Sequence, residues 1–208
     1  MNCFDLDGTL IDSNGIWEDI DHQFLGRHGL TPTEEYNHVV GHSIFPIAAA
    51  YTRDYYGLDM TAQEIMDEWL DMARDEYARV PLKPGIPAFL DQCRARGERM
   101  CLVTACVPEL CRVALARHGL AGYFEDVIFA QELGREKRDP EVYRIAARRL
   151  GVSPADCTLY EDAPANCAAA IEAGMAVVGV YDRYYAKYEP EMRQTCTRYI
   201  QSFTDLLK

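Results

Sequence analysis

No run of roughly 18 apolar residues occurs anywhere in the chain, so no segment reads as a membrane span. Nor does the sequence open with a basic stretch, an apolar stretch and a small-residue cleavage site, so export is not expected and a cytoplasmic location is. Positive charge is scarce: 21 Lys and Arg stand against 33 Asp and Glu, a formal net charge of −12. Such a balance suits neither a nucleic-acid backbone nor an anionic membrane, which select basic surfaces. It still admits a small anion where a local cation or metal offsets the field.

None of the eight cysteines forms a C-x-x-C pair, so zinc spacing is missing. Several lie in apolar runs, such as Cys101 in MCLVTAC and Cys157 in DCTLYED. They read as small buried hydrophobes of a reducing compartment rather than a disulfide framework. Internal repeats and low-complexity segments are also missing. What is present is a 208-residue chain, 49% hydrophobic and 26% charged, enough for one good core or a core plus a small module.

From residue 82 onward, short apolar runs alternate with helical patterns. RMCLVTA (Arg99 to Ala105), DVIFA, CTLYED and AVVGVYD read as buried strands. Helices are predicted over 84–96, 108–118, 140–150 and 163–173. Pro108, Pro140 and Pro164 fall near helix starts, and Gly97, Gly119, Gly151 and Gly174 just past helix ends. The alternation predicts an α/β fold with a doubly wound parallel sheet. Residues 14–81 lack any strand pattern and read as helices over 16–28, 33–40, 43–56 and 61–79, the last with Thr61 and Glu64 placed as a capping box. The expected organisation is therefore an α/β core of residues 1–13 and 82–208, with a helical module of residues 14–81 inserted after the first strand. VPLKPG (Val80 to Gly85) is its return linker. A module next to a strand's carboxyl end is where a substrate cover belongs.

Asp5 and Asp7 in CFDLDGTLIDS are one residue apart, so in an extended segment they share a face, and Gly8 then allows a sharp turn. Two crowded carboxylates repel unless a cation lies between them or one holds a proton. Mg2+, a hard cation that takes oxygen ligands, is the natural neutraliser, and a solvated strand-turn with a capping Asp is the bland alternative. Later segments shift that balance. Thr104 closes one predicted strand, Glu161 and Asp162 close another, and Lys137 precedes the Pro140 helix. Right-handed crossovers bring such strand ends to one rim of the sheet. A rim holding acids, a hydroxyl and a lysine fits phosphoryl transfer.

FDLDGTLIDS, LVTAC, EKRDPEVYRIAARRLGVSP and LYEDAPANCAAAIEAGM resemble, in order, the four motifs of haloacid-dehalogenase-like phosphatases. The inserted helices resemble in placement the cap subclass that includes β-phosphoglucomutase and phosphoglycolate phosphatase. The resemblance implies an Mg2+-dependent hydrolase of a small phosphorylated metabolite. It makes Asp5 the nucleophile that becomes an aspartyl phosphate and Asp7 the general acid and base. Thr104, the Ala105 backbone N–H and Lys137 would hold the phosphate. Asp5, the Asp7 backbone carbonyl and Asp162 would bind the metal, with Glu161 as a further ligand or support. A phosphosugar mutase and a catalytically silent binding protein are the alternatives, and the oligomeric state stays open.

The chain departs from the pattern in places. The lysine motif, usually G-K-P-x-P, reads Glu136-Lys137-Arg138-Asp139-Pro140, with Arg135 and Arg138 placed to supplement the charge. Asn166 stands where a glycine is common. Only MNCF leads into Asp5, yet the active-site end of that strand is expected to be paired on both sides. In the insert, VVGHSIF resembles the subclass's specificity loop and nominates His42 and Ser43 as substrate contacts. Ile44 replaces the arginine usual in β-phosphoglucomutases. Cys106 reads as a packed thiol, and YDRYYAKY (Tyr181 to Tyr188) as a loop and helix covering the core.

Overall fold

Strand β1 spans only Asn2–Phe4, yet it lies inside the sheet with a neighbour on each side. The structure, a computed structural model, describes residues 1–41 and 43–207. Asn2, Cys3 and Phe4 pair in parallel with Met100, Cys101 and Leu102 of β2 (Met100–Thr104) on one side. On the other they pair with Thr158, Leu159 and Tyr160 of β4 (Thr158–Glu161). The backbone N–H of Asp5 extends the ladder one residue further, donating to Tyr160 O at 3.0 Å. The short lead-in therefore suffices, because a central position satisfies the backbone on both sides.

Among the described residues six parallel strands run in the order β3-β2-β1-β4-β5-β6, with β3 at Asp126–Phe129, β5 at Ala176–Val180 and β6 at Arg198–Ile200. This is the doubly wound order expected, reversing between β1 and β4, where the crevice at the carboxyl ends of the strands opens. Alternate residues of β1 feed opposite faces. Phe4 joins a core lined by the helices that precede and follow β2, while Cys3 joins one lined by the helices around β4 and β5.

The helices up to residue 173 fall close to their predicted spans, and the last α-helix, at Glu189–Thr195, was not predicted. Among the described residues four arise in the insert: α1 at Asn14–Arg27, α2 at Glu34–Val40, α3 at Phe45–Tyr56 and α4 at Ala62–Tyr77. The rest alternate with strands: α5 at Ile86–Ala95, α6 at Pro108–Arg117, α7 at Pro140–Arg149, α8 at Pro164–Ala173 and α9 at Glu189–Thr195. Thr61 and Glu64 form the expected capping box, worth about 1 kcal/mol to α4. Helix α3 starts two residues later than predicted, because Ile44 takes the extended conformation of a cap and Pro46 occupies the first turn. The β6 edge strand was not legible, since three residues carry too little pattern to separate strand from loop.

The inner faces of α1–α4 (Ile20, Phe24, Tyr36, Ala49, Ile65, Trp69, Tyr77) belong to the same buried cluster as Phe4 and Leu102. The two connections between insert and sheet are tied to each other. Asp12 N–H donates to Pro81 O at 3.0 Å, and Lys83 N–H to Leu10 O at 2.9 Å. Among the described residues no helix is long and apolar enough to cross a membrane.

Candidate active site

Just past β1, the chain turns at Gly8 with φ 81°. The turn closes through Gly8 N–H to Ile11 O at 2.9 Å, while the N–H groups of Leu10 and Ile11 converge on Leu6 O. A Cβ on Gly8 would lie 2.2 Å from both Asn14 Nδ2 and Asp162 Oδ2, so no other residue fits beneath that carboxylate. The turn thereby presses the first motif against the end of β4.

There the predicted residues meet. Asp5, Lys137, Glu161 and Asp162 are 5%, 4%, 1% and 2% exposed. Lys137 Nζ donates to Asp5 Oδ1 at 2.5 Å and to Glu161 Oε2 at 2.6 Å. The other Glu161 oxygen accepts the Ala163 N–H at 3.1 Å. Asp162 accepts from Thr9 Oγ1 at 2.9 Å and Asn14 Nδ2 at 2.7 Å. Thr104, fully buried at the end of β2, accepts the Cys106 N–H at 2.9 Å, and Ala105 lies exposed between them at the cavity wall. Arg135 and Arg138, expected to supplement Lys137, do not. Arg135 pairs with Asp139 and Arg138 with Glu136, so each guanidinium is engaged by a neighbouring acid outside the buried cluster.

Charge is unbalanced. One buried ammonium faces three buried carboxylates whose oxygens lie within 4.8 Å of one another. Burial, reinforced by the charge on Glu161, pushes the Asp5 carboxyl up to about 8 against the opposing pull of Lys137. Burial and then the charges of Glu161 and Asp5 hold Asp162 well above the usual range. Burial alone would lower Lys137, but Asp5 and Glu161 outweigh it and keep the ammonium charged. An excess of hard, buried carboxyl oxygens that resist ionisation without a counter-charge is the donor set a divalent cation such as Mg2+ selects, so the residues fit that ion.

Asp7 stands apart from this cluster. Its Oδ1 accepts from Ser13 Oγ at 2.6 Å and from Tyr77 OH at 2.5 Å. Tyr77 OH in turn accepts from Trp17 Nε1 at 2.8 Å. Burial pushes the Asp7 carboxyl up, and hydrogen bonds from Ser13, Tyr77 and the Cys106 thiol pull it partly back.

Asp7 opens onto a cavity of about 200 Å3 walled by Trp17, Phe45 and Trp69 from the inserted helices and by Ala105 and Cys106 from the sheet side. Tyr184 and Tyr185 complete the wall. The tyrosine segment thus does more than cover the core: its 3-10 helix, Arg183–Tyr188, brings two rings to the cavity. Burial and the charge on Asp7 raise the Cys106 thiol well above its usual value, so it is packed rather than reactive. Ser43 lines the cavity with its hydroxyl donated to Val39 O at 2.9 Å, and His42 lies outside the described residues.

Sequence reasoning missed Thr9, Ser13, Asn14, Trp17 and Tyr77. The first three sit in or beside the DGTLIDS stretch already singled out, so their proximity was a usable signal. Tyr77, 70 positions from Asp7, carried none.

A family model described as haloacid dehalogenase-like hydrolase matches residues 3–174. Hexitol phosphatase A of Escherichia coli (strain K12) is 31% identical over 187 residues, covering 86% of this chain and 84% of that protein. Fructose-1-phosphate phosphatase YqaB of the same strain is 29% identical over 182 residues, covering 85% and 94%. The crystal structure of CbbY from Rhodobacter sphaeroides in complex with phosphate superposes with a TM-score of 0.85 at 20% identity, covering 99% of this chain and 95% of that one, a likeness of fold.

Proposed function

The chain belongs to the haloacid dehalogenase-like hydrolase family, and from that premise we propose that it is an Mg2+-dependent phosphatase of small phosphomonoesters working through an aspartyl phosphate. The observation that carries this reading is the buried Lys137 bridging Asp5 and Glu161 at the carboxyl end of a central strand. The named phosphatases among its relatives support the substrate class, a sugar phosphate or similar metabolite.

In the proposed reaction a carboxylate oxygen of Asp5 attacks phosphorus. A P–O bond to Asp5 forms and the ester P–O bond breaks, and Asp7 gives its proton to the departing alkoxide. Asp7, now a carboxylate, takes a proton from water. That water attacks phosphorus, the Asp5–phosphorus bond breaks, and inorganic phosphate leaves. Lys137, the Thr104 hydroxyl and the Ala105 N–H hold the transferring phosphoryl oxygens and keep Asp5 still. Asp5, Glu161, Asp162 and the Asp7 backbone carbonyl would hold the Mg2+, which supplies positive charge against these acids and the phosphoryl group.

Residues 14–81 act as a cap over a core of residues 1–13 and 82–208, and the tied connections at 10–12 and 81–83 are its hinges. A cytoplasmic setting agrees with eight free, buried cysteines. The mutase alternative needs a cation to hold a second phosphate at the far end of the cavity. Among the described residues the cavity lining carries Glu18 and Asp21 but no Lys, Arg or His. The intact acids argue against a silent binding protein. Phosphate release from p-nitrophenyl phosphate and from a sugar-phosphate panel with Mg2+ tests the reading. Asp5→Asn should abolish it. An Asp5→Asn variant as fast as the parent, or sugar isomerisation without free phosphate, would sink it.

A further inference from the structure

Trp17 and Tyr77 flank the two connections between insert and sheet: Trp17 in the first turn of α1, Tyr77 as the last residue of α4. Their rings pack edge to face at 6.1 Å, and their polar ends form a chain from Trp17 Nε1 to Tyr77 OH to Asp7 Oδ1. The direction of that chain is forced. An indole N–H only donates, so the Tyr77 oxygen accepts from it and the Tyr77 proton points at Asp7. Ser13 donates to the same Asp7 oxygen, so Oδ1 is occupied by two donors.

Resting on the reading of Asp7 as the acid, we propose that Tyr77 and Trp17 are positioning residues that lock the Asp7 carboxyl. With Oδ1 held by the two hydroxyls, and the Cys106 thiol also hydrogen-bonded to the carboxyl, Oδ2 is the atom that exchanges a proton with the leaving group. Tyr77, the middle link, is fully buried. Trp17 also forms the cavity wall, packed edge to face on Phe45 at 5.7 Å. The ring against which the leaving group lies is therefore the ring whose N–H orients the acid's partner. Cap and acid are set together: when the insert shifts, the hydroxyl that holds Asp7 shifts with it.

A positioned acid matters most where the leaving group is basic. The test compares kcat/KM for phenyl phosphate and p-nitrophenyl phosphate, whose leaving phenoxides are of similar size but differ in basicity. In Tyr77→Phe the ratio of p-nitrophenyl to phenyl activity should rise about tenfold, the scale of a lost hydrogen bond to the acid. Trp17→Phe, which keeps an aromatic ring in the wall but removes the indole N–H, should move the ratio the same way by less. Asp7→Asn supplies the reference and should move it most. A merely structural role lowers both substrates in proportion, leaving the ratio unchanged, and would overturn the proposal. If Asp7→Asn itself leaves the ratio unmoved, the reading of Asp7 as the acid is what fails, and this inference falls with it.

Discussion

Lys137 Nζ lies 2.5 Å from Asp5 Oδ1 although 132 positions separate the two residues, and both are buried. The sheet creates this contact. Asp5 leaves the end of β1, Lys137 comes from the loop before α7, and Glu161 from the adjacent β4 closes the bridge on the other side.

Replacing Lys137 by Met should destabilise the fold by about 3–5 kcal/mol, because it leaves two buried carboxylates without a counter-charge. Urea midpoints of parent and variant check this. Equal midpoints would show that the ammonium is not structurally required.

Mg2+ at about 100 times its dissociation constant should stabilise the folded parent by about 2.7 kcal/mol, since the acid cluster exists only when folded. Asp162→Asn should lose most of that gain. Thermal midpoints with and without the ion read it, independently of turnover. A parent indifferent to Mg2+ would contradict the assignment of these acids as a metal site.

Asp21 gives a pH signature. Burial pushes its carboxyl up to about 7, while Tyr36 OH donates to it at 3.2 Å. An acid raised in the folded state keeps its proton where the unfolded chain has lost it, so stability falls as pH rises from about 4 to about 7 and is level above. Asp21→Asn removes that loss and still accepts from Tyr36. The variant should match the parent near pH 4 and exceed it by on the order of 2 kcal/mol at pH 8. Denaturant midpoints across that range decide, and parallel curves for the two proteins would refute it.

Much was legible in the sequence because it is local. Runs of buried residues such as MCLVT and AVVGV, prolines at helix starts and glycines past helix ends are read within a few residues, and the parallel sheet follows from their alternation. The four motif segments placed Asp5, Lys137, Glu161 and Asp162 on one rim for the same reason: strand ends are visible, and crossover handedness does the rest. The three-residue β1 looked incomplete only because pairing on both sides cannot be seen along a chain.

The tertiary structure alone decided which neighbours each charge meets. Arg135 and Arg138 stood beside Lys137 in sequence but paired with the neighbouring acids Asp139 and Glu136, since an exposed guanidinium finds a nearby carboxylate without being buried itself. Tyr77 gave no local signal, because its role depends on the packing of α4 at the return connection, which brings its hydroxyl to Asp7. Sequence periodicity specifies which face of a helix is buried. Which atom that face touches is set by how the helices pack, and that is where Asp7 acquires its partners.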